Sequence, residues 1–171
     1  MYLDGKYFND INELIDYEID YHKKYFTGKM NSKDIMEVMQ ILKYGIPCII
    51  NEDMNRGNFI ITGDGEYRII DTEWIIRGSN LYQFQHVHFF DFDGKKWYNI
   101  IDEAKECYAA YFETLGIKSA EANEQIRAIE LLSVLRRNTY LKFFKKDNDS
   151  EMEKRIIIIL EQKQFIWHFK Q

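Results

Sequence analysis

The feature that most constrains the fold of this chain is a β-hairpin signal near its middle. Two runs rich in β-branched and aromatic residues, 58–62 (NFIIT) and 67–71 (YRIID), flank the tetrapeptide GDGE at 63–66. An Asp-Gly pair between two such runs is typical of a two-residue hairpin turn. The sequence therefore predicts an antiparallel hairpin over about 58–62 and 67–71, in which Asn58 lies directly opposite Asp71.

This pairing would place two oxygen-bearing side chains at the open end of the hairpin. Directly opposed residues have Cβ atoms roughly 4.5–5.5 Å apart, so the Asn58 amide oxygen and the Asp71 carboxylate would lie side by side. Such ligands suit Mg²⁺, which takes one or two protein ligands and completes its shell with phosphate oxygens and waters. An Asn and an Asp can equally cap strand ends, and the pair alone leaves both readings open.

The rest of the chain is predominantly helical. Apolar residues recur at helical spacing in five stretches, and a short apolar run at 48–50 predicts one further strand. The predicted helices cover residues 9–26, 32 to the break at 45–47, 97–115, 119–145 and 150–169. Residues 71–93 are aromatic-rich and predict a loop with short helical or strand pieces. The expected fold class is α+β, mainly α, with a central hairpin surrounded by helices.

Composition excludes several other classes of protein. The 171 residues are 46% apolar, which excludes a disordered chain, and the net charge of −5 argues against a general nucleic-acid binder. The apolar runs are far too short to span a membrane, and the N-terminus has no signal-peptide pattern. Two cysteines without CxxC spacing are typical of buried thiols in a reduced compartment, so we expect a cytoplasmic protein. A single proline and no Ser/Gly-rich linker predict one domain over 1–171.

The segment before the hairpin adds a third functional position. Asp53 precedes Asn58 by five residues, giving the pattern D-x-x-x-x-N, then the hairpin, then Asp71. Kinase-like phosphotransferases place a catalytic Asp, a metal-binding Asn and a second metal-binding Asp in this order. In that chemistry Asp53 orients the substrate hydroxyl and accepts its proton. Asn58 and Asp71 hold the Mg²⁺ that neutralises charge between the β- and γ-phosphates.

These segments resemble the catalytic and metal-binding segments of aminoglycoside phosphotransferases and choline/ethanolamine kinases. The resemblance is carried by residues 51–58 (NEDMNRGN), 57–61 (GNFII) and 69–74 (IIDTEW). It implies a protein kinase-like fold in which 1–171 form a single C-terminal lobe, beginning at the hinge segment 1–8. It also implies Mg²⁺ and ATP as cofactors, with the backbone of Tyr2 and Leu3 reading the adenine edge.

The same resemblance implies a substrate pocket for a cationic group. In choline kinase-like enzymes an acidic and aromatic pocket holds the head group, and a cation over a good aromatic face gains about 1–2 kcal/mol. The candidate residues here are Glu73, Trp74, Tyr82, Tyr140 and Phe143. Core or groove packing is the alternative role for each of these rings. The expected reaction is transfer of the ATP γ-phosphoryl group to a hydroxyl of a small, amine-bearing molecule.

The sequence departs from the family pattern in ways that favour a second reading. Position 51 is Asn where the family usually has His, and Gln83 stands where it has an Asp that braces the catalytic loop. No Gly-rich loop or strand lysine precedes residue 51, so we expect the isolated chain to be catalytically incomplete. A partner chain or a homodimer could cover the face of the missing lobe. The alternative function is a non-catalytic, kinase-derived binding module or remnant.

Overall fold

The computed structural model of the chain describes residues 8–25, 31–51, 56–73, 75–82, 84, 101–145 and 150–161. Its helices are α1 (Ile11–Lys23), α2 (Ser32–Gln40), α3 (Ile101–Thr114), α4 (Ser119–Tyr140) and α5 (Ser150–Glu161). Its strands are β1 (Pro47–Asn51), β2 (Phe59–Ile61), β3 (Tyr67–Ile69) and β4 (Ile75–Ser79). The prediction of a mainly helical α+β fold is confirmed.

The helix boundaries follow from local capping and differ from the predicted ones by a few residues. Asp10 caps α1, because its carboxylate accepts hydrogen bonds from the backbone N–H groups of Asn12 and Glu13. A 3₁₀ turn (Ile41–Tyr44) prolongs α2, and a π-helical turn (Leu141–Lys145) prolongs α4. The third predicted helix is described from Ile101 onward, and its predicted first residues, 97–100, lie outside the described residues. The predicted extension of the last helix to 169 lies outside the described residues.

Helix α4 forms the centre of the core. It packs against α1, α2 and α5, and side chains on nearly every side of it are buried. A helix that is buried all round has little amphipathic character, which is why its sequence shows a weak apolar stripe. Its fully buried apolar residues are Ala122, Ile126, Ala128, Ile129, Leu131, Leu132 and Leu135. No helix in the described ranges is both long and apolar enough to cross a membrane.

The central hairpin exists, but its predicted register is wrong by one residue. Phe59 lies opposite Ile69 and Ile61 lies opposite Tyr67. The backbone N–H of Ile70 then donates to the carbonyl of Asn58 at 2.8 Å. Asn58 is therefore paired with Ile70, and it does not lie directly opposite Asp71.

The turn explains the shift in register. Thr62 N–H bonds to the Glu66 carbonyl, and Gly65 N–H bonds to the Thr62 carbonyl, both at 2.9 Å. The loop therefore holds three residues, with Gly65 in the left-handed region at φ 85°. This is the geometry of a type I turn followed by a glycine bulge. The Thr62 hydroxyl donates to the Asp64 carboxylate and supports this longer loop, so Asp64 and Gly65 do not form the two-residue turn by themselves.

Strands β1 and β4, which precede and follow the hairpin along the chain, form a second antiparallel pair. Asn51 lies opposite Ile75 at one end and Pro47 lies opposite Ser79 at the other. The prediction of a short strand at 48–50 is confirmed, and β4 is one of the short pieces expected within 71–93. One face of the pair is buried through Ile50, whereas Ile49 on the other face is exposed.

Candidate functional site

Two connecting segments join the β1–β4 pair to the β2–β3 hairpin. Residues 52–58 lead from β1 to β2, and residues 70–74 lead from β3 to β4. At one end of these connections Asn51 pairs with Ile75, and at the other end Ile70 is hydrogen-bonded to Asn58. The predicted catalytic and metal-binding residues are therefore distributed over two connections whose described ends are neighbours. This topology is what positions the candidate site.

Asp71 has an unusual backbone conformation at this junction. Its φ is 58°, and among the described residues no other non-glycine residue has a positive φ. The left-handed region costs roughly 1–2 kcal/mol for an L-residue with a Cβ, although Asp tolerates it better than most. Such strained residues cluster at functional sites. Because Asp71 leaves the extended conformation, the alternation of side chains along a strand no longer determines where its carboxylate points. The corrected register therefore does not by itself show that the Asp71 carboxylate is far from the Asn58 side chain.

The two candidate metal ligands differ in their exposure. Asn58 ends a short 3₁₀ turn (Arg56–Asn58) and is only 8% exposed, whereas Asp71 is exposed. Within the described residues, no group of three His, Cys, Asp or Glu side chains could hold a metal ion. The donor set of one amide oxygen and one carboxylate still fits Mg²⁺ bound together with phosphate, which needs one or two protein ligands. Asp53, the predicted base, lies outside the described residues.

The structure does not bring the predicted substrate residues into one open pocket. Glu73 is exposed in the turn before β4. Tyr82 has no exposed surface, and its ring lies 5.4 Å from the guanidinium carbon of Arg136. A ring enclosed in this way offers no face to a ligand, so the prediction that Tyr82 contacts substrate does not fit its position.

The remaining residues of the predicted site lie either at the end of α4 or outside the described residues. Tyr140 is half-buried and packs against the guanidinium of Arg137, 5.5 Å from the ring centre. Phe143 is largely exposed and meets Tyr25 edge to face. Trp74, Gln83 and the predicted adenine contacts Tyr2 and Leu3 lie outside the described residues. Among the described candidates, Glu73 is thus the exposed polar group near the metal ligands.

Sequence reasoning missed a buried ionic cluster beneath Tyr82. Glu18 and His22 of α1 meet Arg136 and Thr139 of α4, and all four are at most 3% exposed. His22 Nε2 donates to Glu18 at 2.9 Å, His22 Nδ1 lies 2.7 Å from the Thr139 hydroxyl, and Arg136 bonds to both Glu18 oxygens. A signal was present, because Glu18 and His22 occupy the apolar stripe of α1 one turn apart.

The cluster fixes the ionisation of its carboxylate. Burial alone would raise the pKa of Glu18, but the Arg136 charge and the hydrogen bond from His22 outweigh it and lower the pKa to about 2. Glu18 is therefore ionised at neutral pH, and its negative charge balances the positive charge of Arg136 inside the core. The cluster ties α1 to α4, next to the segment that follows β4.

No protein-family model, no curated protein and no solved structure matches this chain. The functional assignment therefore depends on the residues of the junction and on the spacing of Asp53, Asn58 and Asp71.

Proposed function

We propose that this chain is the C-terminal lobe of a small-molecule phosphotransferase that uses Mg²⁺ and ATP and is catalytically incomplete by itself. The observation that carries the proposal is the conformation of Asp71. It is a strained acidic residue that directly follows the last hydrogen bond of the hairpin, and that bond is made to Asn58. A left-handed conformation at an acidic residue supports a functional role, and binding of Mg²⁺ together with phosphate would use a carboxylate at this point.

In the proposed reaction the γ-phosphoryl group of ATP moves to a substrate hydroxyl. A new O–P bond forms at the hydroxyl oxygen, the bond to the ADP oxygen breaks, and the hydroxyl proton passes to Asp53. Asn58 and Asp71 would hold Mg²⁺, which would neutralise the charge that develops on the phosphates during transfer. Catalysis of this transfer consists mainly of positioning and charge neutralisation, so a few oxygen ligands in fixed positions contribute most of what this lobe supplies.

The triphosphate needs further donors that a second lobe would supply. Several exposed apolar side chains on the four strands support the proposal that these strands are covered in the working protein. Each of these side chains is exposed by 47% or more, and clustered exposed apolar side chains are typical of surfaces that another domain or chain covers. These residues are Ile49, Ile60, Ile61, Tyr67, Ile69 and Ile75. An N-terminal lobe, supplied by upstream sequence, a partner chain or a second copy, is the proposed cover.

The proposed acceptor is a small molecule that carries both an amine and a hydroxyl. Glu73 supports this class, because its exposed carboxylate lies two residues after Asp71 and could pair with a cationic amine. The proposed compartment is the cytoplasm, since Cys48 is a free, half-buried thiol.

The alternative function is a non-catalytic binding module derived from a kinase. The full burial of Tyr82 favours it, because the aromatic part of a choline kinase-like pocket would then be incomplete. The two functions differ in their dependence on Asp53. A phosphotransferase that has been supplied with an N-terminal lobe loses turnover in Asp53→Ala. A binding module shows no turnover before or after this substitution, and it keeps its ligand affinity.

The metal site can be tested with Mn²⁺ as a paramagnetic probe of the Mg²⁺ position. With ATP present, Mn²⁺ should broaden the amide resonances of residues 57–58 and 70–72 before those elsewhere. In Asp71→Asn, the same broadening should require about ten times more Mn²⁺, which corresponds to a loss of about 1.4 kcal/mol in binding free energy. Glu66→Gln removes the same charge from an exposed position of the same hairpin and serves as the control. Equal effects of the two substitutions would refute the site.

Activity and ligand class need a separate experiment. The isolated chain should not phosphorylate common amino alcohols or aminoglycosides, and turnover should appear when an N-terminal lobe is added. Turnover by the chain alone that Asp53→Ala abolished would contradict the two-lobe requirement. A panel of amino alcohols and aminocyclitols should include a binder that Glu73→Gln weakens, and unchanged affinity would remove Glu73 from the pocket.

A further inference from the structure

The outer edge of strand β3 is exposed along the whole strand. In the described part of the chain, the hairpin is a separate two-stranded sheet, and its two strands pack mainly against each other. Every residue from Glu66 to Ile70 is exposed, and Tyr67 is 73% exposed. A two-stranded hairpin is only marginally stable by itself in water, and an edge strand offers its outward backbone groups to another strand. The β3 edge is therefore a position at which a further strand could be added.

The hydrogen bonds of the hairpin show which backbone groups point towards this edge. The N–H of Ile70 donates to the carbonyl of Asn58, so these opposed residues form a hydrogen-bonded pair. Hydrogen-bonded and non-hydrogen-bonded pairs alternate along an antiparallel ladder. The backbone N–H and C=O groups of Ile69 and Tyr67 therefore point away from β2. Each of these two residues offers one donor and one acceptor to a strand that lies beside β3.

The charges of β3 make this edge complementary to a second copy of itself. Glu66 and Arg68 flank Tyr67 in the sequence, and residues two apart on a strand share a face. If two such strands run antiparallel with Tyr67 opposite its own symmetry mate, Glu66 of each copy lies opposite Arg68 of the other. Within one chain the two charged groups are 3.8 Å apart, and both are about two-thirds exposed. The four charges would alternate in sign around a rectangle, so the pair within each chain is kept while the pairs between copies form.

Charge also selects this register over the neighbouring one. A two-fold axis centred on Arg68 would place the two Arg68 side chains directly opposite each other, and like charges in that position are destabilising. An axis centred on Tyr67 makes the two Tyr67 residues a hydrogen-bonded pair, in which each outward N–H donates to the C=O of the other copy. Their rings would then lie side by side on the face of the sheet that also carries the exposed Ile61.

We propose that two copies of this chain join through their β3 edges, antiparallel and centred on Tyr67, to form one four-stranded sheet. Both copies use the same edge, so the contact is isologous and closes as a dimer. The contact is small, and the dimer should therefore be weak and form as the protein concentration rises. This inference is independent of the proposed phosphotransferase function, since neither Asn58 nor Asp71 takes part. Edge pairing also leaves both faces of the sheet open to the cover proposed above.

Charge reversal tests the pairing by sedimentation velocity over a range of protein concentrations at low salt. Glu66→Arg and Arg68→Glu each place like charges opposite each other twice in the dimer, so each should raise the dissociation constant by about tenfold or more. A mixture of the two variants should associate as the wild type does, because every opposed pair again has opposite charges. A chain that carries both substitutions should do the same. Glu37→Arg reverses an exposed charge that lies 3.8 Å from Lys33 on α2, and it should leave the dissociation constant unchanged.

The backbone contact has its own readout in the wild-type chain. Hydrogen exchange of the Tyr67 amide should slow as the protein concentration rises through the dissociation constant, whereas exchange in α4 should not change. A wild-type chain that remains monomeric at about 1 mM would overturn the proposal. Unchanged association in Glu66→Arg would overturn it as well, because Glu66 faces an opposite charge only in the register centred on Tyr67. Failure of the mixed variants to associate would have the same meaning.

Discussion

Neutralising Glu18 should destabilise the fold by about 3 kcal/mol at neutral pH. In Glu18→Gln, Arg136 keeps its charge inside the core but loses the carboxylate that balances it. Removing one partner of a buried ion pair costs about 3–5 kcal/mol. The pKa gives a similar figure, because a shift from 4.5 to about 2 corresponds to about 3 kcal/mol of stability.

The same shift sets the pH dependence of stability. The pKa of Glu18 is lower in the folded protein than in the unfolded chain, so its contribution is complete above pH 4.5. It is lost as the pH falls from about 4.5 to about 2, because the unfolded chain binds the proton first. The free energies of unfolding of wild type and Glu18→Gln should therefore differ most near neutral pH and converge in acid.

Urea unfolding between pH 7 and pH 3 measures both effects. Glu37→Gln is the matched control, because its partner Lys33 is 3.8 Å away and both side chains are exposed; such pairs contribute under about 1 kcal/mol. Combining Glu18→Gln with Arg136→Met should restore part of the lost stability, since the uncompensated charge is then gone. A loss below about 1 kcal/mol in Glu18→Gln, or a loss that does not change with pH, would refute the reasoning.

Three further substitutions, one of them with a matched control, test local features by urea unfolding. Gly65→Ala should cost about 1–2 kcal/mol because its φ is 85°, whereas Gly63→Ala in the same turn, with open space around it, should cost much less. Gly45→Ala should cost about 1–3 kcal/mol, because a Cβ there would overlap the side chain of the buried Ser79. Asp10→Ala removes the N-terminal cap of α1 and should cost about 1 kcal/mol.

The hairpin illustrates how far local sequence reasoning reaches at the candidate site. The Asp-Gly signal predicted the existence and position of the hairpin, because turn residues and β-branched runs act over a few residues. The register that it predicted was wrong by one residue. Thr62 extends the turn with a hydrogen bond to Asp64, and one added loop residue moves every pair by one position. The left-handed backbone of Asp71 was not predictable either, since nothing in its neighbouring residues demands it.

The sequence by itself determined the helix content and the spacing of Asp53, Asn58 and Asp71. These properties depend on periodicity and order along the chain. Only the tertiary structure decided that Tyr82 is buried against Arg136 and that Glu18 meets a residue 118 positions away. Burial depends on which faces of distant helices meet, and α4 is enclosed on nearly all sides. The sequence of α4 therefore does not indicate which neighbouring helix each of its faces contacts, and the tertiary packing decides this.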